Sequence, residues 1–306
     1  MKAAAKIFFL LAFIFAASVP AGAVCAPRPQ ASPAAAPAAA AALAQQEALR
    51  ADVEFLSDSL CAGRATGTRG CVEAAAYIIR RLSAMGCEPS VQSFRIDSAR
   101  VGHNILVIPE TSRPVIVLTA YYDGLGVLDG RLYPGADSNA SGVAALLSVA
   151  ARLRDRADVL IAFLDAHNAN LAGADALRRA LKGRRIQLLV NFDILGSTLA
   201  PVDKFWPDFL IALGADRHRA LLEECNAGLQ LHYYHTYYRS RTFTEVFYRR
   251  VGDQRAFLAD GVPTIVFTSG ITDFTNKPGD TPETLDYPVF AKRVEFISRF
   301  ISRYGR

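Results

Sequence analysis

Residues 114–153, PVIVLTAYYDGLGVLDGRLYPGADSNASGVAALLSVAARL, read as a buried strand, a loop and a buried helix. Val115-Ile116-Val117-Leu118 is continuously apolar, the pattern of a strand covered by helices on both faces. From Ala140 to Arg156 apolar residues recur at helical spacing. The loop between them carries tyrosines, aspartates and glycines. In open α/β sheets ligands collect where strands end and loops begin, so this loop is where chemistry is expected.

Working outward, apolar periodicity predicts further helices at Gln46–Asp58, Gly70–Met85, Leu171–Leu181, Asp216–Ala227 and Tyr287–Tyr304. Strands are predicted at Asn104–Ile108, Val159–Leu164, Leu188–Phe192, Phe209–Leu213 and Thr264–Phe267. Alternating strands and helices imply an α/β fold, a three-layer α/β/α sandwich with a mostly parallel sheet. A chain of 306 residues, 51% of them hydrophobic, is long enough for one large domain with a sizeable core.

The amino terminus stands apart from that core. Lys2 and Lys6 precede an apolar run, Ile7 to Val19, and Ala21-Gly22-Ala23 supplies small residues for cleavage, so residues 1–23 read as a secretory signal peptide. The run is shorter than the roughly 20 residues that span a bilayer. Residues 24–45 are Ala/Pro-rich and read as a tether, leaving 46–306 as the folded domain. The expected location is periplasmic or extracellular, with Cys25 as a possible lipid anchor, although Val24 before it makes a poor lipoprotein signal. Export would let Cys61, Cys71, Cys87 and Cys225 form disulfides, in pairs that spacing leaves open. The formal net charge of +5 without a basic stripe reads as a solvated surface rather than a nucleic-acid site, and no integral membrane segment is expected after signal removal.

The residues that follow the strands are Tyr121-Tyr122-Asp123, Asp165-Ala166-His167-Asn168, Asp193-Ile194-Leu195-Gly196 and Asn276-Lys277-Pro278-Gly279-Asp280-Thr281. Gly135-Ala136-Asp137-Ser138-Asn139-Ala140-Ser141-Gly142 precedes the central helix. In order and spacing these loops, with the early Gly63-Arg64-Ala65-Thr66-Gly67-Thr68 segment, resemble those of the secreted zinc-dependent aminopeptidases related to bacterial leucine aminopeptidase, aminopeptidase Y and glutaminyl cyclase. The resemblance runs from about Ala51 to the carboxyl terminus.

That family's chemistry uses two zinc ions sharing a carboxylate, with a glutamate as general base. Carried over by resemblance, a ligand histidine falls on Tyr121 and the bridging aspartate on Ser138, with Asp137 one residue too early. The general base falls on His167, a second carboxylate ligand on Asn168, and the last histidine on Asn276. Only Asp193 keeps its type, and Asp123 keeps a supporting aspartate. A Ser-Asp-His segment common in the family stands here as Gly252-Asp253-Gln254. Neutral Tyr, Ser and Asn are poor zinc donors. No cofactor is therefore expected, hydrolysis is expected to be lost, and the pocket is expected to take a peptide, an amino-terminal group or a protein partner.

Two alternatives stay open at this point. A working zinc exopeptidase could use Asp123, Asp137, His167 and Asp193 as non-standard ligands. A metal-free hydrolase could use Ser138 as nucleophile and His167 as base, oriented by Asp193 or Asp123. The run His232-Tyr233-Tyr234-His235-Thr236-Tyr237-Tyr238-Arg239 reads as a recognition surface or as an alternating strand, whose geometry puts the two histidines on opposite faces.

Overall fold

A computed structural model describes residues 35–305, so the signal-peptide segment and Cys25 lie outside the described residues. Helix α1, Ala35–Ser57, begins inside the stretch read as a tether. Alanine has the highest helix propensity of any residue, and the Ala-rich stretch propagates the helix backwards from the packed Leu49, Val53 and Leu56.

The compact unit that begins at Ala40 is built on an eight-stranded sheet. Its strands are β1 (Ser90–Arg95), β2 (Val101–Val107), β3 (Val115–Tyr121), β6 (Val159–Leu164), β7 (Ile186–Phe192), β8 (Phe209–Leu213), β9 (His232–Tyr234) and β10 (Thr264–Thr268). A separate hairpin, β4 (Gly126–Leu128) with β5 (Arg131–Tyr133), sits in the loop after β3. The order across the main sheet is β1-β2-β6-β3-β7-β10-β8-β9. The four central strands β6, β3, β7 and β10 are mutually parallel. The sheet as a whole is mixed, because β2 pairs antiparallel with β6 and with β1, and β8 antiparallel with β10.

Side chains alternate along each central strand between two cores. Ile116, Leu118 and Ala120 of β3 face a core shared with α1, α2 (Arg69–Ala84), α3 (Gly142–Leu153), α5 (Arg219–Asn226) and α8 (Tyr287–Arg303). Val115, Val117 and Tyr121 face the other side, against α4 (Ala172–Ala180) and Phe257 of α7 (Arg255–Ala259). At the far edge of that side, Phe209 and Ile211 pack with Tyr237 and Phe247, next to α6 (Arg241–Val246). The result is the α/β/α sandwich.

The Tyr-rich run is strand only over β9, where His232 stacks on Trp206 at 4.0 Å. It then turns into a short 3-10 segment, Tyr237–Arg239. Cys61, Cys71, Cys87 and Cys225 are free thiols, so none of the disulfides that export would allow is formed among the described residues. No helix among the described residues is long and apolar enough to cross a membrane.

Candidate functional site

Because β3, β6, β7 and β10 run parallel, their carboxyl ends meet along one rim, and the loops that follow them converge there. A clasp of buried polar groups fixes these loops. Asn139 donates from Nδ2 to the Tyr121 and Phe192 carbonyls and accepts at Oδ1 from Ile194 N, tying the ends of β3 and β7 together. Asp137 turns towards the β7 loop, accepting from Gly196 N at 2.7 Å, Ser197 N at 3.2 Å and Ser141 Oγ at 2.9 Å. Asp280 reaches back from the last loop and accepts from Asp137 N at 2.7 Å and Ser138 N at 3.0 Å.

Arg64, 1% exposed, closes the clasp by donating to the carbonyls of Tyr122, Leu56, Pro134 and Gly135. Gly135 has a left-handed φ of 61°, and a Cβ there would meet the Ser138 carbonyl oxygen at 2.5 Å, so only glycine fits.

Within this frame lie the side chains at the positions that the resemblance singles out. Tyr121, at the last position of β3, lays its ring on the His167 imidazole at 3.7 Å and 14° between planes. Its hydroxyl lies 3.3 Å from Ser138 Oγ, which donates to Asn276 Oδ1 at 3.2 Å. His167 Nδ1 lies 2.8 Å from Asp253 Oδ2, and the other oxygen of Asp253 is buried without a partner. Asn168 bonds Asp123, which accepts from His167 N, Asn168 N and Asn168 Nδ2. Ala166, Ile194 and Asn276 all hold φ between 57° and 60°. Left-handed non-glycine residues store about 1–3 kcal/mol each, and here they stand beside His167 and Asp193 and at the Ser138 contact.

The charges follow from burial. Burial pushes the Asp193 carboxyl up to about 6, against the pull of His167 and with a push from Asp253 and Asp137. Asp123 rises to about 6 by burial, opposed by His167 and by backbone N–H donors. Burial alone would lower His167, but the charge and hydrogen bond of Asp253, with Asp123 and Asp193, carry it up to about 9. His167 is therefore an imidazolium at neutral pH, in a nest of buried acids.

The structure thus joins Tyr121, Ser138 and Asn276 by hydrogen bonds and sets His167 against Tyr121. Asp193 is linked to this group by its field alone. Ser138 and His167 do not bond each other, and Asp253, not Asp193 or Asp123, pairs with the imidazole, so the triad geometry is not formed. The non-standard ligand set is not assembled either, since Asp137 and Asp123 spend their oxygens on backbone amides. Among the described residues no three His, Cys, Asp or Glu side chains are placed to hold a metal ion. The partner that sequence reading missed is Asp253. It lies 86 residues from His167, and its only signal was the altered Gly252-Asp253-Gln254 segment.

Sheet order and loop set together define an aminopeptidase-like α/β protein. Residues 104–301 match Peptidase family M28, and the chain belongs to that family. The fold resembles that of the Legionella pneumophila LapA aminopeptidase, with 14% identity and a TM-score of 0.66 over 85% of this chain and 72% of that one. It also resembles BSAP, a zinc aminopeptidase from Bacillus subtilis, with 11% identity and a TM-score of 0.67 over 84% of this chain and 94% of that one. For Porphyromonas gingivalis glutaminyl cyclase the values are 17% and 0.65, over 85% and 97% of the two chains. No curated protein matches at a significant level. These findings correct the expectation of no cofactor: this family and fold group the chain with zinc aminopeptidases, so zinc is the cofactor the comparisons point to.

Proposed function

We propose that this member of Peptidase family M28 binds the amino-terminal end of a peptide at the rim of β3, β6 and β7 and does not hydrolyse it. The observation that carries the reading is the His167–Asp253 pair at 2.8 Å. The position that the resemblance gives to a general base holds an imidazole with its proton held by a buried carboxylate. An imidazolium with a pKa of about 9 cannot take a proton from water at neutral pH. The same surroundings favour a cation, since Asp193 is a buried carboxyl and one oxygen of Asp253 is buried without a hydrogen-bond partner. A peptide's ammonium group is a cation of suitable chemistry, and zinc is another.

The test supplies both. Purified protein, with and without about two equivalents of zinc, is titrated with short peptides carrying free or acetylated amino termini, and assayed with aminoacyl p-nitroanilides. The reading expects binding that needs the free amine and no turnover in either arm. Zinc-dependent turnover abolished by chelator would replace it with a working zinc exopeptidase. Export rests on the amino-terminal sequence alone and predicts a mature protein that begins after Ala23. Amino-terminal sequencing of the secreted product checks it.

A further inference from the structure

We propose that the cavity between α4 and α7, at the opposite end of β7 from the rim just described, is a binding site for a small anion with an apolar body, of the class of an alkyl phosphate or alkyl carboxylate. Its volume, about 480 Å³, lies within the range of small-ligand sites. Its floor is apolar: Phe257 is buried, and Ile186 and Val262 are half-buried.

Its rim is basic, from the run Arg178-Arg179-Ala180-Leu181-Lys182-Gly183-Arg184-Arg185, five cations in eight residues. Four of these, Arg178, Arg179, Lys182 and Arg184, line the cavity, against one carboxylate, Asp260. Asp260 is taken by a two-pronged pair with Arg178. Arg184 is anchored through Nη2 to the carbonyls of Pro109 and Thr111 at 3.0 and 3.2 Å, which fixes a guanidinium without neutralising it. Arg179 also lines the neighbouring cavity that holds Asp175, yet neither it nor Lys182 makes an ion pair among the described residues.

A solvated helix end accounts for part of this, since cations in a last turn complement the helix carbonyls, and Arg178 and Arg179 stand in the last turn of α4. Lys182 and Arg184 lie beyond that turn, and a polar helix end has no use for an apolar floor. Guanidinium and ammonium groups round a hydrophobic hollow match a ligand whose anionic head meets the rim and whose body fills the floor.

The probe is octyl phosphate below its micellar concentration, titrated calorimetrically into the full mature chain, with inorganic phosphate and octyl glucoside as controls. The expected result is saturable binding of one equivalent, at least about tenfold tighter than either control, and weakened about tenfold in Arg179→Ala/Lys182→Ala. Both side chains are exposed, so the variant should melt like the parent; Lys182→Glu alone gives a second, independent arm. Equal affinity for inorganic phosphate would remove the apolar half of the proposal, and equal affinity for octyl glucoside the anionic half. Unchanged binding in both variants, or adsorption to anionic vesicles with no saturable binding of the monomeric probe, would overturn the site altogether.

Discussion

Two sets of side chains share the loops at the carboxyl ends of β3, β6 and β7, and they differ in how completely they are bonded. The clasp of Arg64, Asp137, Asn139 and Asp280 spends nearly every polar atom on backbone groups of a neighbouring loop. The group of Tyr121, Ser138, His167, Asp193 and Asn276 makes few bonds, mostly side chain to side chain, and Asp253, which pairs with His167, keeps one oxygen without a partner. A clasp satisfied in this way specifies loop shape, because any replacement leaves buried amides or carbonyls unpaired. A loosely bonded pocket specifies little about the fold and leaves its residues free to set what is bound. The architecture and the chemistry of the rim are thus carried by different residues in the same loops.

The contrast can be broken most forcefully at Arg64. Arg64→Ala removes donors from four buried carbonyls and should cost on the order of 4 kcal/mol, read as a shift of the urea midpoint. A loss under about 1 kcal/mol would mean that the loops hold themselves. Asp280→Ala strands the amides of Asp137 and Ser138 and should cost roughly 3 kcal/mol by the same measurement, with Asp280→Asn falling between it and the parent.

The pair of His167 and Asp253 comes next. Its folded pKa of about 9 stands above the ordinary 6.5, so the folded state holds an extra proton between these values. The stability that the pair contributes is complete below about pH 6.5 and is lost as pH rises through 9, on the order of 3 kcal/mol. Denaturation at stepped pH should show that slope in the parent and lose it in Asp253→Asn. Asp123 and Asp193, both raised to about 6, work in the same direction lower down, so stability also falls as pH rises from about 4 to 6. Ser138→Ala should have the smallest effect, under about 1 kcal/mol, since it gives up one 3.2 Å bond to Asn276 and leaves the clasp intact.

Much of the frame was legible in the sequence because it is written in apolar runs. Val159–Leu164 and Phe209–Leu213 form strands over the predicted spans, and α2, α3, α4 and α8 begin and end within two or three residues of expectation. The elements that escaped, β1, β4, β5, α6 and α7, are short or exposed, and too brief to show a hydrophobic period of their own. The rim positions were legible because they follow strands. What could not be read was bonding: Arg64 lies 58 to 71 residues from three of the carbonyls it holds, and Asp253 lies 86 from His167. Nor could the basic cavity be seen as one, because its cations are contiguous in sequence while its floor comes from β7 and α7.

The most direct test of a pocket that binds without cleaving is turnover of a leucine p-nitroanilide by purified protein loaded with about two equivalents of zinc, near neutral pH. No turnover above the buffer rate is the predicted result, with His167→Glu, which restores a carboxylate at the base position, as the companion variant. Zinc-dependent release of p-nitroaniline by the parent, lost on adding chelator, would contradict it.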